Sequence, residues 1–278
     1  MDKILGLGKV GCKIATTFER YPQYEVYKID SAKKTAPNFF QVEKQDHPQD
    51  YEDNCPDFSG FLKDLEGDLL FVLSGSSLIS GLSLRLLEQI RHKCTINVLY
   101  IKPDKDLLDS VKTLQENLVF NVFQEYARSG VFNQMYIVEN DVIGEIIKGA
   151  PIIGYFDKLN ELIVSTIHMI NVFDNSEAIE STFTQPFETC RISTFGIVNL
   201  EEEQENVFFP LDEVKEKWYY YGISENKLKT DENLFNMITS QIKEKAKEGI
   251  KASYGIFSTD YENDYVYCVA RSSTVQKN

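Results

Sequence analysis

The apolar positions change period several times along the chain, and each change predicts an element. A short apolar run over Ile4–Leu7 predicts a strand that ends in a glycine turn. Val10, Ile14, Ala15 and Phe18 follow at helical spacing and predict an amphipathic helix. Glu25–Ile29 predicts a second strand, and the polar, proline-punctuated residues 31–56 read as one long loop. A short helix is expected over FSGFLKDL (58–65). DLLFVLSG (68–75) predicts a strand whose continuous apolar run suits burial on both faces. A helix over 78–90, a strand over 94–103, a long helix over 105–128, a strand over 133–141 and a short helix to 149 complete a regular β/α alternation. Such alternation implies a mostly parallel sheet covered by helices.

Residues 152–173 are apolar on nearly every side, as expected of a central helix buried on several faces. Beyond it the pattern mixes strands (190–198, 216–224) and a helix (232–252), then two more strands (254–260, 264–273) that suit a hairpin. EEEQE (201–205) reads as a solvated loop. The expected organisation is an α/β nucleotide-binding domain over 1–150, a central helix over 151–174 and a smaller α+β domain over 175–278.

Hydrophobic residues at 42% and charged residues at 26% are ordinary for a globular chain, so composition adds no special class. The net charge of −14 argues against direct nucleic-acid binding, which needs clustered Lys and Arg. The five cysteines are scattered without a CxxC pair, and His47, His92 and His168 form no HExxH pattern; reduced thiols and no dedicated protein metal site are expected. No apolar run reaches membrane length and no leader pattern opens the chain, so a cytoplasmic, non-membrane protein is expected (host cytoplasm, were the chain viral).

Chemistry concentrates at GLGKVGCK (6–13). Gly6, Gly8 and Gly11 permit a tight turn and let phosphate reach the free N–H groups of a helix start. Asp30, ending the second strand, stands where a dinucleotide fold holds the acid for a ribose hydroxyl, so an NAD-dependent oxidoreductase is one reading. Glycines needed only for helix–strand packing are another. No downstream residue stands out as a hydride-transfer acid or base, and His168 falls in the apolar helix as a core residue would.

The order of the later pieces resembles the tubulin/FtsZ superfamily. Three features carry the likeness: a strand ending in Lys102-Pro103, a strand ending in Asn140-Asp141, and a long helix opening with Phe156 and Asn160 one turn apart. The resemblance implies that Phe156 stacks on guanine while Asn140 and Asn160 read its edge. It also implies a first phosphate loop of Gly6, Gly8, Lys9, Gly11 and Lys13, although Lys13 replaces the usual Asn. The compact length is most similar to phage- and plasmid-encoded members.

Two features depart from the family. The second phosphate loop, GGGTG[ST]G in the family, is SGSSLISG here; Gly75, Ser76, Ser77, Ser80 and Gly81 match or substitute, while Leu78 and Ile79 add bulk. A serine-capped helix start is the plainer reading of this stretch. The acidic loop after the central helix corresponds to STFTQP (181–186), which has no acid; Glu177 and Glu180 are the nearest candidates to act in trans as catalytic acids, or they are the solvated end of the helix. The resemblance therefore implies a GTP/GDP-binding protein, with Mg2+ as a candidate co-ligand and weak or altered hydrolysis. Its main partner would be itself, head to tail in a cytoskeletal filament, with any adaptor unknown. A nucleotide-free scaffold of the same fold is the alternative.

Overall fold

The computed structural model describes residues 1–34, 36–149, 151–200 and 204–277. Two compact units divide the chain, Met1–Val164 with Lys277, and Ser165–Gln276, so the division falls inside the long helix.

The first unit runs β1 (Lys3–Leu7), α1 (Gly8–Phe18), β2 (Glu25–Asp30), β3 (Phe39–Gln41), α2 (Pro48–Asp53) and β4 (Gly67–Leu73). A 3-10 turn at Leu78–Leu82 precedes α3 (Ser83–Ile90), β5 (Cys94–Lys102), α4 (Ser110–Arg128), β6 (Gln134–Glu139), α5 (Asn140–Ile146) and the first half of α6 (Tyr155–Asp174). Its strands are parallel in the order β3-β2-β1-β4-β5-β6. The run Leu69–Leu73 in β4 is buried throughout, as its unbroken apolar sequence requires of a central strand. Ile14, Ala15 and Phe18 bury one face of α1, and the fully buried Phe18 alone contributes roughly 1.5–3 kcal/mol by leaving water.

Several expectations need correcting here. The stretch 31–56 contains β3 and α2; Thr35 within it lies outside the described residues. Residues 58–65 form successive turns in place of a helix, since Asp57 accepts from both the backbone N–H and the hydroxyl of Ser59 and sets a turn at the start. The helix expected over 78–90 divides into a 3-10 turn and α3, because Ser80 and Ser83 hydroxyls bond to the Gly75 and Ser80 carbonyls. The long helix begins at Ser110, where Asp109 caps it by accepting from Lys112 N at 2.9 Å. Ile152 and Ile153 precede α6 and are almost fully exposed; Gly154 adopts φ +84°, which α-helix geometry excludes.

The second unit holds the rest of α6, β7 (Glu180–Ser181), β8 (Ile192–Val198), β9 (Glu205–Val207), β10 (Val214–Ser224), α7 (Glu225–Thr230), α8 (Leu234–Lys247), β11 (Lys251–Thr259) and β12 (Tyr265–Ser272). Its sheet order is β8-β12-β10-β11-β7, with β9 on β8. The last two strands are no hairpin: β10 lies between them, parallel to β11 and antiparallel to β12. The core joins Tyr219, Tyr221, Ile223, Leu234, Ile238 and Ile256. Phe173 of α6 stacks on Phe257 at 4.6 Å. Gly249 at φ +80° ends the α8 segment, so the helix does not reach 252. Residues 201–203 of the expected acidic loop lie outside the described residues, but Glu205 is no solvated tip. It lies in β9, bound to Lys217 at 2.5 Å and Tyr219 at 2.7 Å. β7, β9 and α7 had no sequence signal.

Candidate functional site

Strand order alone locates a crevice. From β1 the chain proceeds outward to β2 and β3, then returns to add β4, β5 and β6 on the other side. Ligands of open α/β sheets bind outside the carboxyl ends of the strands at this switch point. Here those ends carry the loops after β1 and β4, the two stretches singled out in the sequence.

The first loop enters α1 without a cap. Leu7 precedes the helix in extended conformation, no side chain accepts from its first N–H groups, and no acid occupies its first turn. Such a helix start offers bare N–H groups and a positive dipole end to an anion. Gly8 takes φ +71°, a conformation costly for other residues. Gly6 and Gly11 have a packing duty: a β-carbon on Gly6 would collide with the Gly11 carbonyl oxygen, and one on Gly11 with the Val72 carbonyl of β4. The Cys12 thiol donates to the Ile29 carbonyl at 3.4 Å, and burial pushes its pKa up to about 12, so it is an unreactive thiol.

The second loop meets the first at Gly8, where an added β-carbon would stand 2.7 Å from Ile79 Cγ2 and 3.7 Å from Ser77 Oγ. Ser76 and Ser77 are half-buried. Ser80 is buried; its hydroxyl donates to the Gly75 carbonyl at 2.8 Å and accepts from Gln115 at 3.1 Å, closing the loop on itself. Gly81 lies against the Pro48 carbonyl at the start of α2.

A cleft of about 310 Å³ runs beside α1, lined among others by Lys9, Lys13, Asp30, Phe39, Asp157 and Asn160. Lys13 reaches Asp157 at 3.9 Å, and Arg20 pairs with Glu161 at 2.8 Å, tying α1 to the first turns of α6. Phe156, 54% exposed, stands one turn before Asn160 with its ring against Tyr155 at 5.5 Å. Asn140 opens α5; Gly144, one turn further, leaves the space into which the Tyr155 hydroxyl fits. The first unit thus gathers Lys9, Lys13 and Asn160 on one cleft, with Asp30 among them. Glu177 and Glu180 belong to the second unit and are both exposed, Glu177 in the loop after α6 and Glu180 in β7 beside Ile256. Phe183 of the acid-free stretch stacks on Trp218 at 4.8 Å.

One residue of the site region escaped the sequence reading. Glu116 of α4 is 1% exposed and lies directly beneath the second loop, where a β-carbon on Gly75 would stand 2.8 Å from its Oε2. The Tyr100 hydroxyl donates to Oε1 at 3.0 Å, while Oε2 has no hydrogen-bond partner. Burial raises the Glu116 pKa to about 7. Lys102, buried over the Phe120 ring at 4.0 Å, has its own pKa lowered by burial. The available signal was spacing: Glu116 falls on the helix face of Val119, Phe120 and Phe123, where an acid is out of pattern.

Among the described residues there is no group of three or more His, Cys, Asp and Glu arranged to hold a metal ion, and no helix is long and apolar enough to cross a membrane.

No protein-family model matches the chain, and no curated protein sequence matches it. Solved structures do. TubZ-Bt, in a helical model of a four-stranded filament, matches at TM-score 0.76 with 16% identity, over 97% of this chain and 85% of that one. An FtsZ dimer from M. jannaschii matches at 0.67 with 11% identity, over 98% and 88%. CetZ2 from Haloferax volcanii, a GTPγS-bound protofilament, matches at 0.67 with 13% identity, over 98% and 92%. At such identities the likeness is one of fold: this chain has the α/β fold of tubulin/FtsZ-like proteins and resembles TubZ in shape.

Proposed function

We propose that this chain is a GTP-binding protein that assembles head to tail into filaments. The observation that carries the reading is the uncapped start of α1 at the sheet's switch point, opening beside a cleft that holds Lys9, Lys13, Lys34 and Asn160. The fold likeness to a GTPγS-bound protofilament and to filament-forming TubZ supports it.

In this reading the N–H groups of Gly8, Lys9 and Val10 donate to the phosphate oxygens, and Lys9 and Lys13 offset their charge. Gly6 and Gly11 keep α1 close to the sheet so that those N–H groups face the crevice. Ser76 and Ser77 add hydroxyl donors from the second loop, while Gly75, Ser80 and Gly81 shape it. Phe156 stacks on the base, and Asn140 and Asn160 hydrogen-bond its edge. GTP supplies the phosphoanhydride bond. Mg2+ would be held chiefly by phosphate oxygens and water, as is usual for this ion, since the described residues offer no acidic cage for it. Glu177 and Glu180 would serve a neighbouring subunit by orienting water, and turnover is slow because the family's acid is replaced. Head-to-tail contact between identical subunits does not close and so extends into a filament.

Titration with fluorescent GTP, competed by GDP, ATP and NAD, tests the reading. Displacement by guanine nucleotides alone is expected; displacement by NAD would assign the cleft and Asp30 to a dinucleotide. Phe156→Ala should weaken GTP binding about tenfold, since base stacking on an aromatic contributes roughly 1–3 kcal/mol, and leave the melting temperature of the free protein unchanged. Unaltered GTP turnover in a Glu177→Ala/Glu180→Ala variant would remove those acids from the mechanism.

One observation favours a second reading, a scaffold without nucleotide. Ile79 fills the space over Gly8 and Ser80 is bonded within its own loop, so the second loop is partly closed. Absence of any nucleotide binding in the titration would establish it.

A further inference from the structure

The second loop rests on a carboxyl that the proposed function does not use. Gly75 stands where no side chain would fit: a β-carbon there would lie 1.9 Å from the Tyr100 hydroxyl oxygen and 2.8 Å from Glu116 Oε2. The bare glycine lets the Tyr100–Glu116 pair press directly against the loop backbone. Glu116 is 1% exposed, the Tyr100 hydroxyl donates to its Oε1 at 3.0 Å, and Oε2 has no hydrogen-bond partner beneath the loop. A carboxyl kept only for structure is normally satisfied at both oxygens, because a buried orphan acceptor costs free energy. The groups that face it come from three places. β5 contributes Tyr100 and Lys102, the 3-10 turn before α4 contributes Lys105, and the loop contributes the Ser76 N–H. Glu139, ending β6, acts on Lys102. Burial disfavours the charged form of Glu116 and outweighs Tyr100, the lysines and the N–H, which favour it, so the carboxyl changes charge at about 7.

We propose that Glu116 is a positioning residue for the second loop, and that the loop receives phosphate only when Glu116 is protonated. The inference rests on the GTP-binding reading above and adds a control to that same site. Ionised, the carboxylate draws the Ser76 N–H inward, away from the crevice. It also sets a negative charge one peptide layer beneath the phosphate, where burial leaves the repulsion weakly screened. Protonated, it repels no anion and frees that N–H to join the Ser76 and Ser77 hydroxyls in donating to phosphate oxygens. The two equilibria are reciprocal. A proton on Glu116 raises the affinity for phosphate, and bound phosphate raises the affinity of Glu116 for a proton by the same factor. The proton comes from solvent, so nucleotide binding near neutral pH takes one up.

Titration of fluorescent GTP against the wild type and Glu116→Gln, from about pH 6 to about pH 8, tests it. The ratio of the two affinities cancels the titration of the nucleotide itself. Glu116 is protonated in about nine-tenths of molecules at the lower pH and about one-tenth at the higher, so wild-type affinity should fall about tenfold relative to the variant. Calorimetry in buffers of different ionisation enthalpy should show the wild type taking up close to one proton more per nucleotide than the variant at about pH 8. Tyr100→Phe keeps the acid and removes the hydrogen bond that favours its charged form, so the fall should move to higher pH. That variant also carries the test should Glu116→Gln fail to fold. A ratio flat across pH, equal proton uptake by both proteins, or a fall that Tyr100→Phe leaves in place would each overturn the proposal while GTP binding stands. Absence of GTP binding at every pH would overturn both.

Discussion

Glu116 shows what a single residue can cost and control. Its neighbours are Tyr100 and Lys102 from β5 and Lys105 from the turn before α4; the tyrosine pKa is pushed far above its ordinary value by burial, so it does not titrate near neutrality. In the unfolded chain the Glu116 carboxyl ionises at its ordinary value near 4.5, whereas in the fold it holds its proton to about 7. Between those values the native state binds more protons than the unfolded one, so its contribution to stability falls as pH rises and the full cost stands above about 7. Glu116→Gln keeps the shape and removes the charge. Its advantage should be near zero at about pH 4 and grow to on the order of 3 kcal/mol at about pH 8, read from urea midpoints. A pH-independent difference would assign the change to packing alone.

Among elements, two packings set the limits of tolerance. α1 approaches β4 so closely at Gly11 that only hydrogen fits against the Val72 carbonyl. Backbone cannot yield as a side-chain tip does, so Gly11→Ala should destabilise by roughly 1–3 kcal/mol in chemical denaturation, with or without nucleotide. In the second sheet, the register of β10 brings Glu216 beside Lys251 of β11 and Arg271 of β12. Glu216 is wholly buried, 2.9 Å from Lys251, with Arg271 also packed on the Trp218 ring at 4.1 Å. Removing only the acid leaves the buried Arg271 cation uncompensated, and Glu216→Ala should cost roughly 3–5 kcal/mol. The Glu216→Met/Arg271→Met pair should recover much of that loss.

At the scale of the molecule, two units each hold their own core, and every proposed phosphate and base contact belongs to the first. A ligand that binds only the folded form stabilises it by roughly 2.7 kcal/mol at a hundred times its dissociation constant. GTP should therefore slow hydrogen exchange in β1, α1 and the loop after β4, and leave β10–β12 unchanged. Equal protection of the second sheet would show that binding is not confined to the first unit.

The sequence by itself determined β1, α1 and β2, the alternation of strand and helix from β4 through β6, the glycine turn, and the long helix with Phe156 and Asn160 on one face. These are local patterns of period and of glycine sterics, legible without a partner. It left Gly6 and Gly11 open between phosphate contact and packing, because the oxygens they face, the Gly11 carbonyl of α1 and the Val72 carbonyl of β4, are set against them only by the close docking of helix on sheet. Tertiary structure assigned Glu205 to β9 against Lys217, turned an expected hairpin into two strands parted by β10, and buried Glu116 under the second loop. Those outcomes depend on which strand lies beside which, and a period of two or 3.6 carries no information about that neighbour.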